Sequence, residues 1–258
     1  MENDLRSILN GIFEKEIWDK IKEVFGKDKS DVIRIAVIGQ TGVGKTSTVN
    51  ALFNTDLPVS HFGSCTQHAD CVTVNTSKGT IEVIDMPGLW AGEAETIRHW
   101  KTYREVLPTV DSAIWIISAG DRALEGMQNA LKIISSFSDA NIINHIAFGV
   151  NKAEHMHPED WNCSANLPSL EQEKNLEDFC ITVEKAIHEI FPTWKGTIRY
   201  YSAKKQFRLE EMLEQMIMTA APDNRLKVYR VADPKSHTEK IEDKRALDVA
   251  INIINRGE

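Results

Sequence analysis

The chain has 258 residues, of which 42% are hydrophobic and 26% are charged. This composition is typical of a globular protein and excludes an extended disordered chain, and the length predicts one core domain with extensions. The formal net charge of −8 gives no general attraction to nucleic acid or to an anionic membrane, although a local basic face is compatible with it.

The cysteines and the N-terminus indicate the compartment. The four cysteines form no CxxC pair and show no regular spacing, so we expect reduced thiols rather than a zinc site or a disulfide framework. The N-terminus has neither a basic region nor an apolar signal segment, and no apolar run reaches the roughly 18 residues of a membrane span. We therefore expect a cytoplasmic protein without a transmembrane segment.

Apolar periodicity predicts the elements in chain order, beginning with an amphipathic helix over residues 3–25. Short apolar runs predict strands at 32–39, 71–77, 80–86, 112–118, 145–150 and 197–203. Helical patterns lie between or after most of them, at 45–54, about 95–107, 122–137, 169–190 and 207–220. Strands that alternate with helices indicate a doubly wound α/β domain, which binds ligands beyond the carboxyl ends of its strands.

A tight Lys78-Gly79 turn joins the second and third strands, so we expect one antiparallel edge strand in an otherwise parallel six-stranded sheet. Ser169 and Gln172 have the spacing of a capping box at the start of a helix. The predicted domains are an N-terminal helical extension (1–29), a core domain (30–221) and a C-terminal extension (222–258) with a final helix at 241–255. The apolar faces of these extensions fit either intramolecular packing or a partner chain.

A glycine-rich segment between the first strand and the first core helix matches the pattern G-x-x-x-x-G-K-[ST]. Its residues are Gly39, Gln40, Thr41, Gly42, Val43, Gly44, Lys45 and Thr46. Backbone N–H groups of such a loop surround phosphates, and the following helix adds its positive N-terminus. This pattern predicts that Lys45 contacts the β- and γ-phosphates, that the Thr46 hydroxyl ligates Mg²⁺, and that Ser47 contacts the α-phosphate. The fold is thus predicted to be that of a P-loop NTPase.

The motif Asp85-Met86-Pro87-Gly88 ends the third strand, 40 residues after Lys45. An acid at this position can hold Mg²⁺ through a water molecule, and the N–H of Gly88 can meet the γ-phosphate and release it after hydrolysis. With these two motifs the chain resembles the Era-like branch of the translation-factor-related P-loop GTPases, of the stand-alone bacterial, ribosome-binding type. The resemblance implies a Thr66 that closes over the metal and the γ-phosphate, with Thr73 and Thr76 as rivals that fit strand positions better.

A third motif, Asn151-Lys152-Ala153-Glu154, follows the fifth strand, and Ser202-Ala203-Lys204 follows the sixth. In the family that the chain resembles, N/T-K-x-D reads guanine: the asparagine buttresses the site, the lysine stem covers the base, and the aspartate accepts two hydrogen bonds. The Ser-Ala-Lys turn offers a backbone N–H to the guanine carbonyl. Glu154 is one methylene longer than aspartate, so it can present the same two acceptors only if its backbone or rotamer moves back by about one bond. A carboxylate here still favours guanine over adenine.

Two positions depart from the family. Leu89 stands where Ras-like enzymes carry a water-orienting glutamine, and Gly42 stands where potassium-stimulated relatives often have asparagine. Replacement groups near the second switch are Glu93, Glu95 and His99, although a solvated loop and helix start explains each of them more simply. The segment 155–168 is long for a connection, which favours a polar loop with partner contacts over a metal site.

These motifs lead to one functional interpretation and two alternatives. The chain is expected to be a Mg²⁺-dependent GTPase that cleaves GTP to GDP and phosphate and controls a protein or ribonucleoprotein partner. The alternative is a nucleotide-gated module with negligible hydrolysis that forms a homodimer across the nucleotide face. A weaker alternative is an ATPase or a kinase.

Overall fold

The structure is a computed structural model, and it describes residues 32–56, 63–64, 70–76, 79–87, 93–121, 124–137 and 140–220, together with Asn224 and Val228. The helices predicted at 3–25 and 241–255 lie outside these residues, so the domain boundaries stay predictions. In the part of the chain that is described, no helix is both long and apolar enough to cross a lipid bilayer.

The predicted strands and core helices are all present. The strands are β1 (Val32–Ile38), β2 (Gly63–Ser64), β3 (Asp70–Thr76), β4 (Gly79–Asp85), β5 (Ser112–Ser118), β6 (Ile146–Asn151) and β7 (Arg199–Tyr200). The helices are α1 (Lys45–Phe53), α2 (Glu93–Val106), α3 (Leu124–Ser135), α4 (Leu170–Ile190) and α5 (Leu209–Thr219). A short 3₁₀ turn, Ala153–His155, follows β6.

Within the described residues the strands form one sheet in the order β2-β3-β4-β1-β5-β6-β7. The pairs β1–β5, β5–β6 and β6–β7 are parallel, and β3 pairs antiparallel with β4. The predicted six-stranded, mostly parallel sheet is confirmed. The two-residue β2 extends it beyond β3, and so short a strand carries no periodicity from which to predict it.

Helices cover both faces of the sheet because the side chains of each strand alternate between them. On β1, Ile35 and Val37 pack in the apolar cluster that α1 and α5 cover. Ala36 and Ile38 pack in the opposite cluster, to which α2, α3 and α4 contribute. The domain is therefore doubly wound, as predicted.

Buried aromatic side chains add specific packing under α4. Trp115 stacks on Phe148 with ring centroids 5.6 Å apart, and Trp194 meets Phe148 edge-on at 5.5 Å. Each such side chain stabilises the fold by about 2–3 kcal/mol through burial. These contacts hold β5 and β6 rigidly, and the carboxyl ends of the parallel strands can then position functional groups.

The cysteine expectation needs a correction. Cys163 and Cys180 are free thiols, but Cys71 is disulfide-bonded, so the expectation of reduced thiols is wrong for Cys71. Disulfide pairing depends on the three-dimensional separation of the cysteines, which sequence spacing does not reveal.

Candidate functional site

The predicted motifs meet at one edge of the sheet. Lys45, after β1, lies 3.5 Å from the Oδ1 atom of Asp85, at the end of β4. Asn151, the last residue of β6, contacts both the glycine-rich loop and the turn after β7. Ligands of doubly wound sheets bind at this carboxyl edge, so the arrangement is that of a single site.

Two glycines of the glycine-rich loop, Gly42 and Gly44, have positive φ angles but differ in their surroundings. Gly44 has a φ of +94°, and a Cβ atom there would lie 2.5 Å from the Nδ2 atom of Asn151. Gly42 has a φ of +84°, but a Cβ atom there would meet nothing within 4 Å. Gly44 permits the close approach of Asn151, and Gly42 leaves open space where phosphate oxygens can approach the backbone.

The Lys45 ammonium group lies across the mouth of this loop. Its Nζ atom is 3.2 Å from the Gly39 carbonyl oxygen and 3.5 Å from that of Gln40. Together with the ion pair to Asp85, these contacts hold a partly buried positive charge beside the N-terminus of α1. A cation and a helix N-terminus at one point are suited to binding a polyanion such as a nucleotide's phosphates.

Asn151 joins the two halves of the site. Its side chain is buried, with only 2% of the residue exposed. The Nδ2 group donates to the Val43 carbonyl oxygen at 2.9 Å, and Oδ1 accepts from the N–H of Ala203 at 3.0 Å. These contacts are compatible with the buttressing role that the resemblance implies for Asn151, which stays a prediction. The side chain couples the position of the glycine-rich loop to that of the Ser-Ala-Lys turn.

Glu154 presents a carboxylate with unused acceptor capacity. It lies on the 3₁₀ turn after Lys152, whose φ is +64°, and only 6% of the residue is exposed. Its Oε1 atom is 3.7 Å from the Nε2 atom of His155. Among the described residues no donor reaches the buried Oε2 atom. A buried acceptor of this kind is costly unless a ligand supplies a donor, and guanine supplies two N–H donors.

The Ser-Ala-Lys turn follows β7 directly, although β7 itself is only two residues long instead of the predicted 197–203. The Ser202 N–H donates to the Phe207 carbonyl oxygen, and the Ala203 N–H donates to Asn151. Within the described residues, the Lys204 N–H has no acceptor, which makes it the amide of this turn that is available to a ligand. The Lys204 side chain is exposed.

For the remaining predicted site residues, the structure gives the exposure of some and does not describe others. Thr46 is half-buried in the first turn of α1, whereas Thr41 and Ser47 are exposed. Thr66 and Gly88 lie outside the described residues, as does Leu89. The rivals of Thr66, Thr73 and Thr76, both lie on β3 as expected.

Of the replacement groups near the second switch, the side chains of Glu93 and Glu95 lie outside the described part of the chain. His99 is half-buried on α2, and none of the described residues offers a hydrogen-bond partner to its Nδ1 atom.

Two supporting contacts were not predicted. The Thr48 hydroxyl and the Tyr201 hydroxyl share a buried hydrogen bond of 2.9 Å between α1 and the segment after β7. Gln172 was assigned to a capping box, and its N–H does donate to the Ser169 hydroxyl. Its side chain, however, turns away and donates to backbone carbonyls around Glu154. The sequence signal at Gln172 was therefore correct for the cap and wrong for the side chain.

The site can now be compared with known proteins. Residues 34–156 match the family model of the 50S ribosome-binding GTPase. The Escherichia coli proteins YkfA and YfjP are 28% and 26% identical to this chain over 71% of its length. The chain spans only about 60% of the length of either relative.

Two further comparisons agree with this match. Translation initiation factor IF-2 from Lachnoclostridium phytofermentans is 27% identical over 81% of this chain and 17% of its own length. The crystal structure of Toc33 from Arabidopsis thaliana in complex with Mg²⁺ and GMPPNP has a TM-score of 0.52 at 20% identity, and the match covers 73% of this chain and 78% of that one. The similarity to Toc33 shows that the two proteins share a fold.

The family match and the fold confirm the resemblance that the motifs carried. The Asn151-Lys152-Ala153-Glu154 motif lies inside the matched region, which ends at Met156. Residues 34–156 are therefore similar to the 50S ribosome-binding GTPase family, and the described residues have the fold of a P-loop GTPase.

Proposed function

We propose that the chain is a Mg²⁺-dependent enzyme that hydrolyses GTP to GDP and phosphate, and that its bound nucleotide controls a partner. The observation that carries this proposal is the buried Oε2 atom of Glu154, which lacks a donor among the described residues. It lies three residues from Asn151, which touches the phosphate-binding loop. One nucleotide can therefore occupy both regions, with its phosphates at the loop and its base at Glu154. We take residues 30–221 as the GTPase domain.

The phosphate end of the site relies on positive charge and backbone donors. Lys45 exchanges its carbonyl contacts and Asp85 for β- and γ-phosphate oxygens, and the amides of the glycine-rich loop donate to the same phosphates. The Gly88 N–H contacts the γ-phosphate and the Ser47 hydroxyl the α-phosphate. Loss of the γ-phosphate on hydrolysis removes the contacts that hold the two switch segments, which is how the partner distinguishes GTP from GDP.

A magnesium ion fits the chemistry of the donors at this end. Thr46 and Thr66 supply hydroxyls, and Asp85 supplies a carboxylate that acts through water. No group of three or more His, Cys, Asp or Glu side chains in the described residues could hold a metal ion. This agrees with an ion that takes most of its ligands from phosphates and water, as Mg²⁺ prefers. When bound, the ion neutralises charge that develops on the phosphates.

The base end reads guanine through a carboxylate and an amide. Glu154 accepts from the N1–H and the exocyclic amine of guanine, Lys152 covers the base with its stem, and the Lys204 N–H donates to the guanine carbonyl. Ser202 and Ala203 hold that amide in place through their own backbone bonds. Adenine has no N1–H and carries an amine in place of the carbonyl, so it fits neither group.

Phosphate release from GTP tests the proposed chemistry. The purified protein should release phosphate in the presence of Mg²⁺ and lose that activity when EDTA replaces it. Lys45→Ala is the matched control, because it removes the phosphate-binding ammonium group. A rate no faster than that of Lys45→Ala, with or without K⁺, would contradict hydrolysis by this chain.

A homodimer across the nucleotide face is a second proposal for the partner. Dimerization is important for the GTPase activity of the chloroplast translocon components atToc33 and psToc159, whose structure has a TM-score of 0.51 at 21% identity to this chain. Sedimentation of this protein with GDP and with a non-hydrolysable GTP analogue tests the proposal. A dimer that forms only with the analogue supports it, and a monomer in both states contradicts it. The cytoplasmic location expected from the sequence is a separate matter and stays a prediction.

A further inference from the structure

The turn that carries Glu154 is held from behind by one buried side chain. Gln172, in the first turn of α4, has no exposed surface. Its Nε2 atom lies 3.4 Å from the Ala153 carbonyl oxygen, 3.2 Å from that of Glu154 and 2.9 Å from that of Met156. Its Nε2 group thus serves three carbonyl acceptors within the 153–156 turn. A single side chain fixes the backbone on both sides of Glu154.

Other contacts between α4 and this loop lie farther from Glu154. The Ser169 hydroxyl donates to Asp160 at 2.6 Å, and the Asn175 side chain donates to the His157 carbonyl oxygen at 2.8 Å. Both contacts are exposed to solvent, where water can replace them at little cost. The bonds from Gln172 are buried, so their loss removes this donor from the carbonyl oxygens of Glu154 and Met156, whereas the Ala153 carbonyl oxygen still accepts from the Met156 N–H. Gln172 is therefore the main restraint on the position of the turn.

The front of the turn is tied separately to the sheet. The Ala153 N–H donates to the Tyr201 carbonyl oxygen at 3.1 Å. The turn is consequently held between Tyr201 on one side and Gln172 on the other. This matters for a glutamate, because its carboxylate reaches the base correctly only when its backbone stands about one bond farther back than that of an aspartate. A side chain that recognises a ligand by hydrogen bonds loses its selectivity when its polar atoms shift by roughly 0.5 Å or more from the productive geometry.

We propose that Gln172 is a positioning residue for guanine recognition: it holds the 153–156 turn where the longer side chain of Glu154 can accept both guanine donors. This inference rests on the proposed function, since it concerns the same base site. Gln172 touches no nucleotide itself and acts through the backbone of the turn. Its conservative replacement should therefore alter base selectivity more than it alters binding of the phosphates.

The test compares GDP with IDP, whose hypoxanthine base lacks only the exocyclic amine. The ratio of the two dissociation constants reports the Glu154 contact alone, because the phosphates and the sugar are the same. The wild-type protein should prefer GDP by about tenfold or more, as expected for a hydrogen bond to a charged acceptor. Gln172→Met, which keeps the length of the side chain but has no donor, should reduce this preference to within about threefold.

The chain offers a matched control in Gln215 on α5. Gln215 is also buried, with 6% exposed, and its Nε2 group also donates to two backbone carbonyls, those of Phe148 and Thr197. Neither of these carbonyls belongs to a residue that we propose to bind the nucleotide. Gln215→Met should destabilise the fold to a similar degree and leave the preference for GDP over IDP unchanged. Thermal unfolding of both variants establishes that they are compared as folded proteins.

The outcomes separate this inference from the proposed function. An unchanged GDP preference in Gln172→Met, or an equal loss in Gln215→Met, would overturn the positioning role. If Gln172→Met does not fold, Gln172→Asn, whose amide is one methylene too short, is measured instead, and an unchanged preference there also overturns it. Wild-type protein that binds GDP and ADP equally would overturn the proposed function and, with it, this inference.

Discussion

The base selectivity that we propose depends on the two oxygens of one carboxylate, that of Glu154. The residue is buried, and none of the described residues donates to its Oε2 atom. A carboxylate can only accept hydrogen bonds, whereas an amide accepts with one atom and donates with the other. The identity of this single side chain therefore sets which purine edge fits, provided that the turn keeps its position.

Glu154→Gln should exchange guanine for xanthine. The amide oxygen still accepts from N1–H, but the amide nitrogen meets the exocyclic amine of guanine donor to donor. Xanthine carries a carbonyl at that position and accepts from the amide. We expect the affinity for GDP to fall by about 100-fold and the affinity for XDP to exceed it, because mismatched buried groups are costly. Competition between the two nucleotides measures this directly. Equal affinity of the variant and the wild type for GDP would remove Glu154 from the base site.

At the scale of elements, the site depends on polar links between segments that are distant in sequence. Asn151 joins β6 to the glycine-rich loop through Val43, 108 residues away, and to the turn after β7 through Ala203. The hydrogen bond between Thr48 and Tyr201 joins α1 to that same region. Of these two links, only the one through Asn151 touches both of the turns that we propose to bind the nucleotide.

Asn151→Leu should weaken both the fold and the binding of nucleotide. It leaves a buried carbonyl on Val43 and a buried N–H on Ala203 without partners, so we expect a loss of about 2–4 kcal/mol in the free energy of unfolding. Tyr201→Phe is the control: it removes one buried hydroxyl link, costs about 1–2 kcal/mol, and should leave the affinity for GDP unchanged. Urea unfolding and GDP titration of both variants measure these effects. A normal GDP affinity in Asn151→Leu would contradict the coupling.

The sequence predicted the elements that have strong periodicity and the motifs that have fixed spacing. The runs 112–118 and 32–39 identified the strands at the centre of the sheet because both faces of such strands are apolar. The sequence did not predict β2, which has two residues, or the shortness of β7. These edge strands depend on pairing partners rather than on their own pattern.

The sequence predicted which strand ends carry the candidate residues, but it did not predict the contacts that Gln172 makes behind them. Each motif ends a predicted strand, so the topology brings Lys45, Asp85 and Glu154 to one edge. The role of Gln172 could not be read in the same way, because it depends on how α4 packs against a turn that lies 16–19 residues earlier. The capping-box spacing pointed instead to a local contact, and tertiary packing overrode it for the side chain.

For the molecule as a whole, the buried tyrosines are expected to make the free energy of unfolding fall as the pH becomes alkaline. Burial is the main cause that raises the pKa of Tyr103 and of Tyr201 above the ordinary value of 10.0, and the charge of Asp85 adds to the effect at Tyr103. Burial also raises the pKa of Tyr200 to about 12, against the lowering effect of Arg208. All three tyrosines are protonated in the folded state at neutral pH and ionise more easily once unfolded.

The sign of the pH effect follows from these raised pKa values. Their contribution to stability is fully present below pH 10, the ordinary tyrosine pKa, and is lost as the pH rises through the folded-state values. We expect the absorbance of tyrosinate at 295 nm to rise together with the loss of far-UV circular dichroism, above roughly pH 11. Complete ionisation of all four tyrosines while the circular dichroism stays native would contradict the burial of Tyr103 and Tyr201.

We propose that one guanine nucleotide spans the edge of the sheet from the glycine-rich loop to Glu154. The most direct measurement is calorimetric titration of the purified protein with GDP and with ADP in the presence of Mg²⁺. The two ligands share their phosphates, so the difference between them reports the base site. We expect GDP to bind at least about 100-fold more tightly than ADP, because ADP leaves the buried Glu154 carboxylate unpaired. Equal affinities for GDP and ADP would contradict it.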